Sequence, residues 1–231
     1  MKKQKVVVLS GAGISAESGI KTFRDANGLW EGYDVMEVAS PEGWEDNPEM
    51  VLKFYNQRRA QLFEVQPNLG HFALAELESR FHVEIITQNV DNLHEMAGSS
   101  NVTHLHGELL KVRSTLDQTL VYDWRTDLKL GDFCEKGAQL RPHIVWFGEQ
   151  VPLIEKAIEI ITDASIVIVV GTSMQVYPAA GLINYAPIES KKFYVDPKPA
   201  HLIKNYKNLS ILSKTATLGL PEIVQSLMKE N

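Results

Sequence analysis

Four stretches of the 231-residue chain combine residue types and spacings that can do chemistry. In the first, the apolar run Val6–Leu9 breaks into SGAGISAESG. Gly11, Gly13 and Ala16 there meet the relaxed glycine pattern of a strand-to-helix turn that receives a nucleotide pyrophosphate. A dinucleotide-binding dehydrogenase should place an acidic residue about 20 positions on, at the end of a second strand. That region reads NGLWEGYDVMEV, which argues against hydride transfer. The second stretch, TQNVDN, sets Gln88, Asn89 and Asp91 just past an apolar run, and alone it is equally a polar turn. The third, HLHGEL, offers His104 and His106, whose alternate spacing puts both imidazoles on one face of a strand. A histidine there can be a general base near neutral pH, bond backbone at a strand end, or share a metal with its neighbour. The fourth, NPEMVLKFYNQRRAQLFE, reads as a helix capped by Asn47 with Pro48 at its first position. Val51, Phe54, Tyr55, Arg58 and Leu62 share one face of it, so an apolar stripe carries a guanidinium. A buried guanidinium is costly without a partner, and Glu64 or Asp46 could supply an internal one.

A scaffold must bring these groups together. Continuous apolar runs at Val6–Leu9, Val83–Ile86, Ile166–Val170 and Phe193–Val195 read as parallel strands covered on both faces, and NLSIL adds a short strand before a terminal helix. Helical stretches over 71–79, 152–162 and 178–185 lie between them, with Pro178 and Pro221 as first-turn prolines. This alternation predicts an α/β fold, a Rossmann-like doubly wound parallel sheet. Ligands of such sheets bind outside the carboxyl ends of the strands, so Ser10–Ser15, Thr87–Asp91, Gly171–Ser173 and Asp196 should converge in one cleft. Two segments stand outside the sheet: a helical insertion over 28–66 and a polar, irregular stretch over 113–141. They are expected to form a small second lobe, a helical insertion plus an irregular/β module, beside a large domain of residues 1–27, 67–112 and 142–231.

Bulk properties narrow the function classes. The net charge of −6 gives no electrostatic reason to expect nucleic acid as a ligand. No stretch approaches the length of a membrane helix, and the run after the N-terminal lysines stops at Leu9, too soon for a signal peptide. Cys134 is the one cysteine, which rules out an internal disulfide and suits a reducing compartment. A cytoplasmic monomer with no membrane or nucleic-acid partner is expected.

Six motifs in order, GAGISAESGIKTFR, TQNVDNLH, HLHGEL, RPHIVWFGE, VGTSMQVYPAAGL and VDP, resemble the motif set of the sirtuins, the NAD-consuming protein lysine deacylases. The resemblance runs from Val6 to about Val224 and is closest to the bacterial and mitochondrial branch that removes succinyl and malonyl groups. It implies that NAD is consumed: the acyl-lysine carbonyl displaces nicotinamide, and a histidine, here His106, acts as general base on a ribose hydroxyl that takes over the acyl group. It assigns Asn89 and Asp91 to the nicotinamide and its ribose, and Gln88 to ribose hydroxyls. Gly11, Ala12, Gly13, Ser15, Phe23, Arg24, Gly171, Thr172, Ser173, Asp196 and Ala216 become further cofactor positions. Phe23 would screen the reactive ribose carbon and Arg24 would lie near the pyrophosphate. A strand-capping role for Asp196 before Pro197 competes with an adenosine ribose contact. Val145, Trp146 and Phe147 would line the tunnel for the acyl-lysine. Tyr55 and Arg58 would receive a carboxylate on the acyl group, with Ala39 leaving room for the longer chain.

The chain departs from the family in one place. Most sirtuins bind a structural zinc through four cysteines; here Ser114 stands at the first position and Cys134 is left alone. No zinc is expected, and Tyr122, Trp124 and Phe133 are the candidate apolar anchors of the small lobe. Mono-ADP-ribosyl transfer and a non-catalytic NAD or ADP-ribose sensor are the competing readings.

Overall fold

The computed structural model describes residues 3–21, 29–30, 32–199 and 206–230. Its strands are β1 (Lys5–Ser10), β2 (Leu29–Trp30), β3 (Tyr33–Asp34), β4 (His82–Thr87), β5 (Val102–His104), β6 (Gly107–Ser114), β7 (Val121–Asp123), β8 (Leu140–Ile144), β9 (Ile166–Val170), β10 (Lys191–Val195) and β11 (Leu209–Leu212). The helices are α1 (Val35–Val38), α2 (Pro41–Asp46), α3 (Pro48–Leu62), α4 (Leu69–Leu77), α5 (Leu93–Met96), α6 (Ile154–Ile161) and α7 (Ala216–Lys229).

Six strands form one sheet in the order β11-β10-β9-β1-β4-β5, with all neighbours parallel. The fully apolar runs occur because both faces are covered. On one face Val6, Val8, Ile85 and Ile168 pack with Leu74 and Leu77 of α4 and Leu220 and Val224 of α7. On the other, Val7, Leu9, Ile86 and Val169 pack with Ala157 and Ile161 of α6 and with Leu182 and Ile183 of a 3₁₀ helix, Ala179–Tyr185. The doubly wound α/β sheet expected from the alternation is therefore present.

Two local readings change, those of Pro221 and Phe133. Pro221 lies inside α7 rather than in its first turn, because the helix already starts at Ala216. The backbone N–H of Thr217, unused at the helix start, is met instead by the Glu17 carboxylate at 3.1 Å. The 113–141 stretch, expected as an irregular/β module, contributes to a three-stranded antiparallel sheet, β7-β6-β8, closed over Leu52, Val112, Leu128, Cys134 and Leu140. Tyr122 and Trp124 pack on that core, but Phe133 is exposed and anchors nothing.

The 28–66 insertion carries the β2–β3 hairpin and α1–α3. Asn47 caps α3 as expected, accepting from the Met50 N–H at 3.0 Å. The guanidinium wholly buried by this helix is Arg59, which donates to the carbonyls of Leu109 and Thr126 and to Asn56 Oδ1. Arg59 ties α3 to the chain at Leu109 and Thr126.

Candidate functional site

The glycine turn after β1 meets the turn after β9 backbone to backbone. Gly11 N–H donates to the Val170 carbonyl at 3.0 Å and Gly13 N–H to the Gly171 carbonyl at 2.8 Å. A Cβ on Gly13 would stand 2.6 Å from Gly171 Cα, so no side chain fits there. Gly171 itself adopts φ 61°, where a Cβ would fall 2.3 Å from the Ile14 nitrogen. These glycines therefore serve loop contact as well as any close approach by a ligand. Asn68 holds the turn from below, donating to the Ile14 carbonyl and to Ser18 Oγ.

The polar ends of β1, β4 and β9 converge as expected. Ser15 Oγ donates to Asp91 Oδ2 at 3.0 Å, and Asn89 Nδ2 reaches Ser15 Oγ at 3.2 Å. Gln88 Nε2 donates to Thr172 Oγ1 at 3.1 Å, tying the β4 end to the β9 end. Burial pushes the Asp91 carboxyl above its usual range, while hydrogen bonds from Leu93 N–H and Ser15 pull the other way. Thr172 is buried, Ala12, Gly171 and Ser173 are half-buried beside it in the cleft loops, and Ala216 opens α7 in the buried core. Asp196 is buried at the end of β10 and accepts from the Lys198 N–H at 2.8 Å, which fits the capping role. Phe23 and Arg24 lie outside the described residues.

The two histidines of HLHG separate by their partners. His104 Nδ1 meets the Asn89 carbonyl at 2.8 Å and its Nε2 meets Glu95 Oε1 at 2.8 Å. Both partners are acceptors, so both nitrogens carry protons. Burial works against that charge, but Glu95 and the Asn89 carbonyl hold the imidazole above its ordinary pKa. No nitrogen is left for a metal, which removes the paired-ligand reading. Among the described residues no three His, Cys, Asp or Glu side chains are grouped to hold a metal ion.

His106 donates only from Nδ1, to the Gln88 carbonyl at 3.1 Å. Nε2 is then the unprotonated nitrogen, without a partner among the described residues. Burial pushes this imidazole below its ordinary pKa, opposed by the Gln88 bond, so it is neutral at pH 7. A neutral imidazole with a free Nε2 beside Asn89 and Asp91 can accept a proton.

A second group of the expected site residues is built around α3 of the 28–66 insertion. Tyr55 is fully buried in a cluster with Ala39, Phe54, Leu109, Ile144 and Trp146. Ala39 joins this wall to the VWFGE segment, its carbonyl accepting from the Phe147 N–H at 2.9 Å. Val145 is half-buried and Phe147 exposed, whereas Trp146 turns into the cluster. Arg58 packs its guanidinium 5.3 Å from the centre of the Phe54 ring, yet its buried Nε and Nη1 have no hydrogen-bond partner. No ion pair to Glu64 or Asp46 forms among the described residues.

Sequence reasoning missed the supports of this wall. Trp146 Nε1 donates to Tyr55 Oη at 3.0 Å, and Glu149 gathers Arg113, Arg141 and the Trp146 N–H. RPHIVWFGE contains Arg141, Trp146 and Glu149, but their pairing depends on the turn after β8.

Comparison with known proteins finds the Sir2 family model matching residues 11–178. A protein of Helicobacter pylori (strain ATCC 700392 / 26695) named NAD-dependent protein deacylase is 57% identical over 228 residues, covering 98% of each chain. A solved Sir2 homologue–NAD complex is 38% identical with a TM-score of 0.87, covering 99% of this chain and 91% of that one. A Sir2 protein solved with deacetylated p53 peptide and 3′-O-acetyl ADP-ribose is 30% identical with a TM-score of 0.80, covering 99% of this chain and 94% of its own.

Proposed function

The chain belongs to the Sir2 family, and from that premise we propose that it is an NAD-dependent protein lysine deacylase that removes succinyl and malonyl as well as acetyl groups. NAD is the consumed co-substrate, supplying the ribose that leaves carrying the acyl group. The turn Gly11–Ser15 at the carboxyl edge of the sheet, half-buried at Ala12 and Gly13, with Gln88, Gly171, Thr172 and Ser173, suits its phosphates and riboses. Phe23 and Arg24 belong to the same set by the family motif, and Asp196 and Ala216 stand at its adenosine side. The large domain, residues 1–27, 67–112 and 142–231, carries these groups, and the small one, 28–66 and 113–141, carries the acyl end.

The observation that carries the reading is His106: one nitrogen bound to the Gln88 carbonyl, the other free and unprotonated. It takes the proton from the ribose hydroxyl that receives the acyl group. Asn89 and Asp91, braced on Ser15, orient the nicotinamide end. Val145 and Phe147 flank the entering lysine, which would pair with the VWFGE edge as an added strand.

Acyl choice rests on Arg58. Two buried guanidinium nitrogens without acceptors cost free energy unless a ligand supplies the acceptor, and a carboxylate is the acceptor a guanidinium binds most strongly. Ala39 leaves the room such a chain needs. The test is mass spectrometry of matched acetyl-, succinyl- and malonyl-lysine peptides incubated with and without NAD. Acyl loss only with NAD, together with O-acyl-ADP-ribose, is expected. ADP-ribosylated peptide, or NAD bound without turnover, would overturn the reading.

A further inference from the structure

Tyr55 shows how its end of the site is kept ready. Its phenol offers one O–H donor and an accepting oxygen. The oxygen accepts from Trp146 Nε1, a group that can only donate, at 3.0 Å. The Tyr55 proton is left without an acceptor among the described residues, although the side chain is fully buried. One turn further along α3, Arg58 holds two more unspent donors. The indole takes up the accepting capacity of the oxygen, and its bond polarises the O–H as a donor.

The indole is itself locked. The Arg141 guanidinium lies 3.2 Å from the centre of the Trp146 ring. Arg141 is held by Glu149, with Nη1 to Oε1 at 2.6 Å and Nη2 to Oε2 at 3.2 Å. Glu149 Oε2 also accepts the Trp146 backbone N–H at 2.8 Å, and Arg113 adds a second cation at 3.1 Å. One carboxylate thus fixes both the backbone of Trp146 and the cation stacked on its ring.

We infer that Trp146 is a positioning residue for acyl selection: its indole N–H makes the Tyr55 hydroxyl a donor only, so that with Arg58 the pocket presents donors alone and accepts an ionised carboxylate. The inference rests on the acidic-acyl reading above and deepens it. Arg141 and Glu149 act one step further out, by holding the indole.

Trp146→Phe keeps a ring against Arg141 and deletes the donor. The measured quantity is the ratio of kcat/KM for succinyl-lysine over acetyl-lysine peptide, in Trp146→Phe, Tyr55→Phe and the double variant. The expected result is a fall of about tenfold in each single variant, mostly through KM for the succinyl peptide, with no further fall in the double. A Trp146→Phe ratio within about twofold of wild type, or effects that multiply in the double variant, would overturn the inference. If Tyr55→Phe lowers the ratio and Trp146→Phe does not, only the role of Trp146 is lost. If Tyr55→Phe leaves the ratio unchanged, the carboxylate reading falls and takes this inference with it. Should Trp146→Phe not fold, the indole N–H resonances of ¹⁵N-tryptophan-labelled protein decide. Tyr55→Phe should displace one of them, and succinyl-lysine peptide with ADP-ribose should displace the same one more than acetyl-lysine peptide does. An indole signal indifferent to the acyl group overturns the inference.

Discussion

The two groups of candidate site residues, one at the sheet and one around α3, treat their polar groups in opposite ways. At the sheet end Ser15, Gln88, Asn89, Asp91 and Thr172 are bonded to one another, and His104 has both nitrogens occupied. Of the two HLHG histidines, His106 is the one that keeps an unspent acceptor among the described residues. At the small-lobe end the unspent atoms are donors, Arg58 Nε and Nη1 and the Tyr55 hydroxyl proton. A satisfied network is rigid before the ligand arrives and serves every substrate alike, whereas unsatisfied buried donors favour the one substrate that completes them. Chemistry common to all acyl groups should therefore depend on the first end and discrimination among them on the second.

The largest effect expected from this contrast comes from His106→Ala. Removing the general base should lower kcat for acetyl- and succinyl-lysine peptides alike by about 10³-fold while NAD binding persists. Matched steady-state assays with calorimetric NAD titration check it, and a variant that binds NAD with full activity would refute the mechanism. Arg58→Met comes next. It should lower kcat/KM for desuccinylation by about 10²-fold and leave deacetylation within about threefold, which is the contrast in its sharpest form. Equal losses on both substrates would erase the division between the two ends.

The pH dependence is a smaller, graded test. His106 must be unprotonated to act, and burial holds its pKa below the ordinary value of 6.5. The rising limb of kcat/KM against pH should therefore have its midpoint below 6.5, with activity level above neutrality for both peptides. A midpoint at or above 6.5 would mean that the burial argument fails. The smallest effect belongs outside the cleft, where Cys134 Sγ meets Ser114 Oγ at 3.3 Å and Lys136 pairs with Asp117. With the lobe closed by Leu52, Val112, Leu128 and Leu140, chelator treatment should leave Tm within about 1 °C, read by thermal melting. Stoichiometric zinc in purified protein would overturn that expectation.

The parallel sheet was legible because strands buried on both faces must be apolar at every position, as Val6–Leu9 and Ile166–Val170 are. The strands of the β7-β6-β8 sheet were harder to delimit, because Leu140–Ile144 buries an arginine and a proline among its apolar residues, with Arg141 held by Glu149. Helix periodicity placed Arg58 on an apolar stripe, but 3.6-residue spacing leaves adjacent arginines unresolved. Contacts decided that Arg59 is the wholly buried one, bonded to Leu109, Thr126 and Asn56, and that Arg58 makes no such bond through Nε or Nη1.

By itself the sequence determined the α/β class, the family and the order of the chemical groups along the chain. Those properties follow from local pattern: apolar runs, caps and short motifs are readable from neighbouring residues. Only the tertiary structure decided which donors and acceptors remain free, because a hydrogen bond joins residues far apart in the chain. Tyr55 and Trp146 are 91 positions apart, and Ser15 and Asp91 are separated by 76. The same dependence settles the histidines: His104 and His106 are alike in sequence, and only their partners leave one of them able to take a proton.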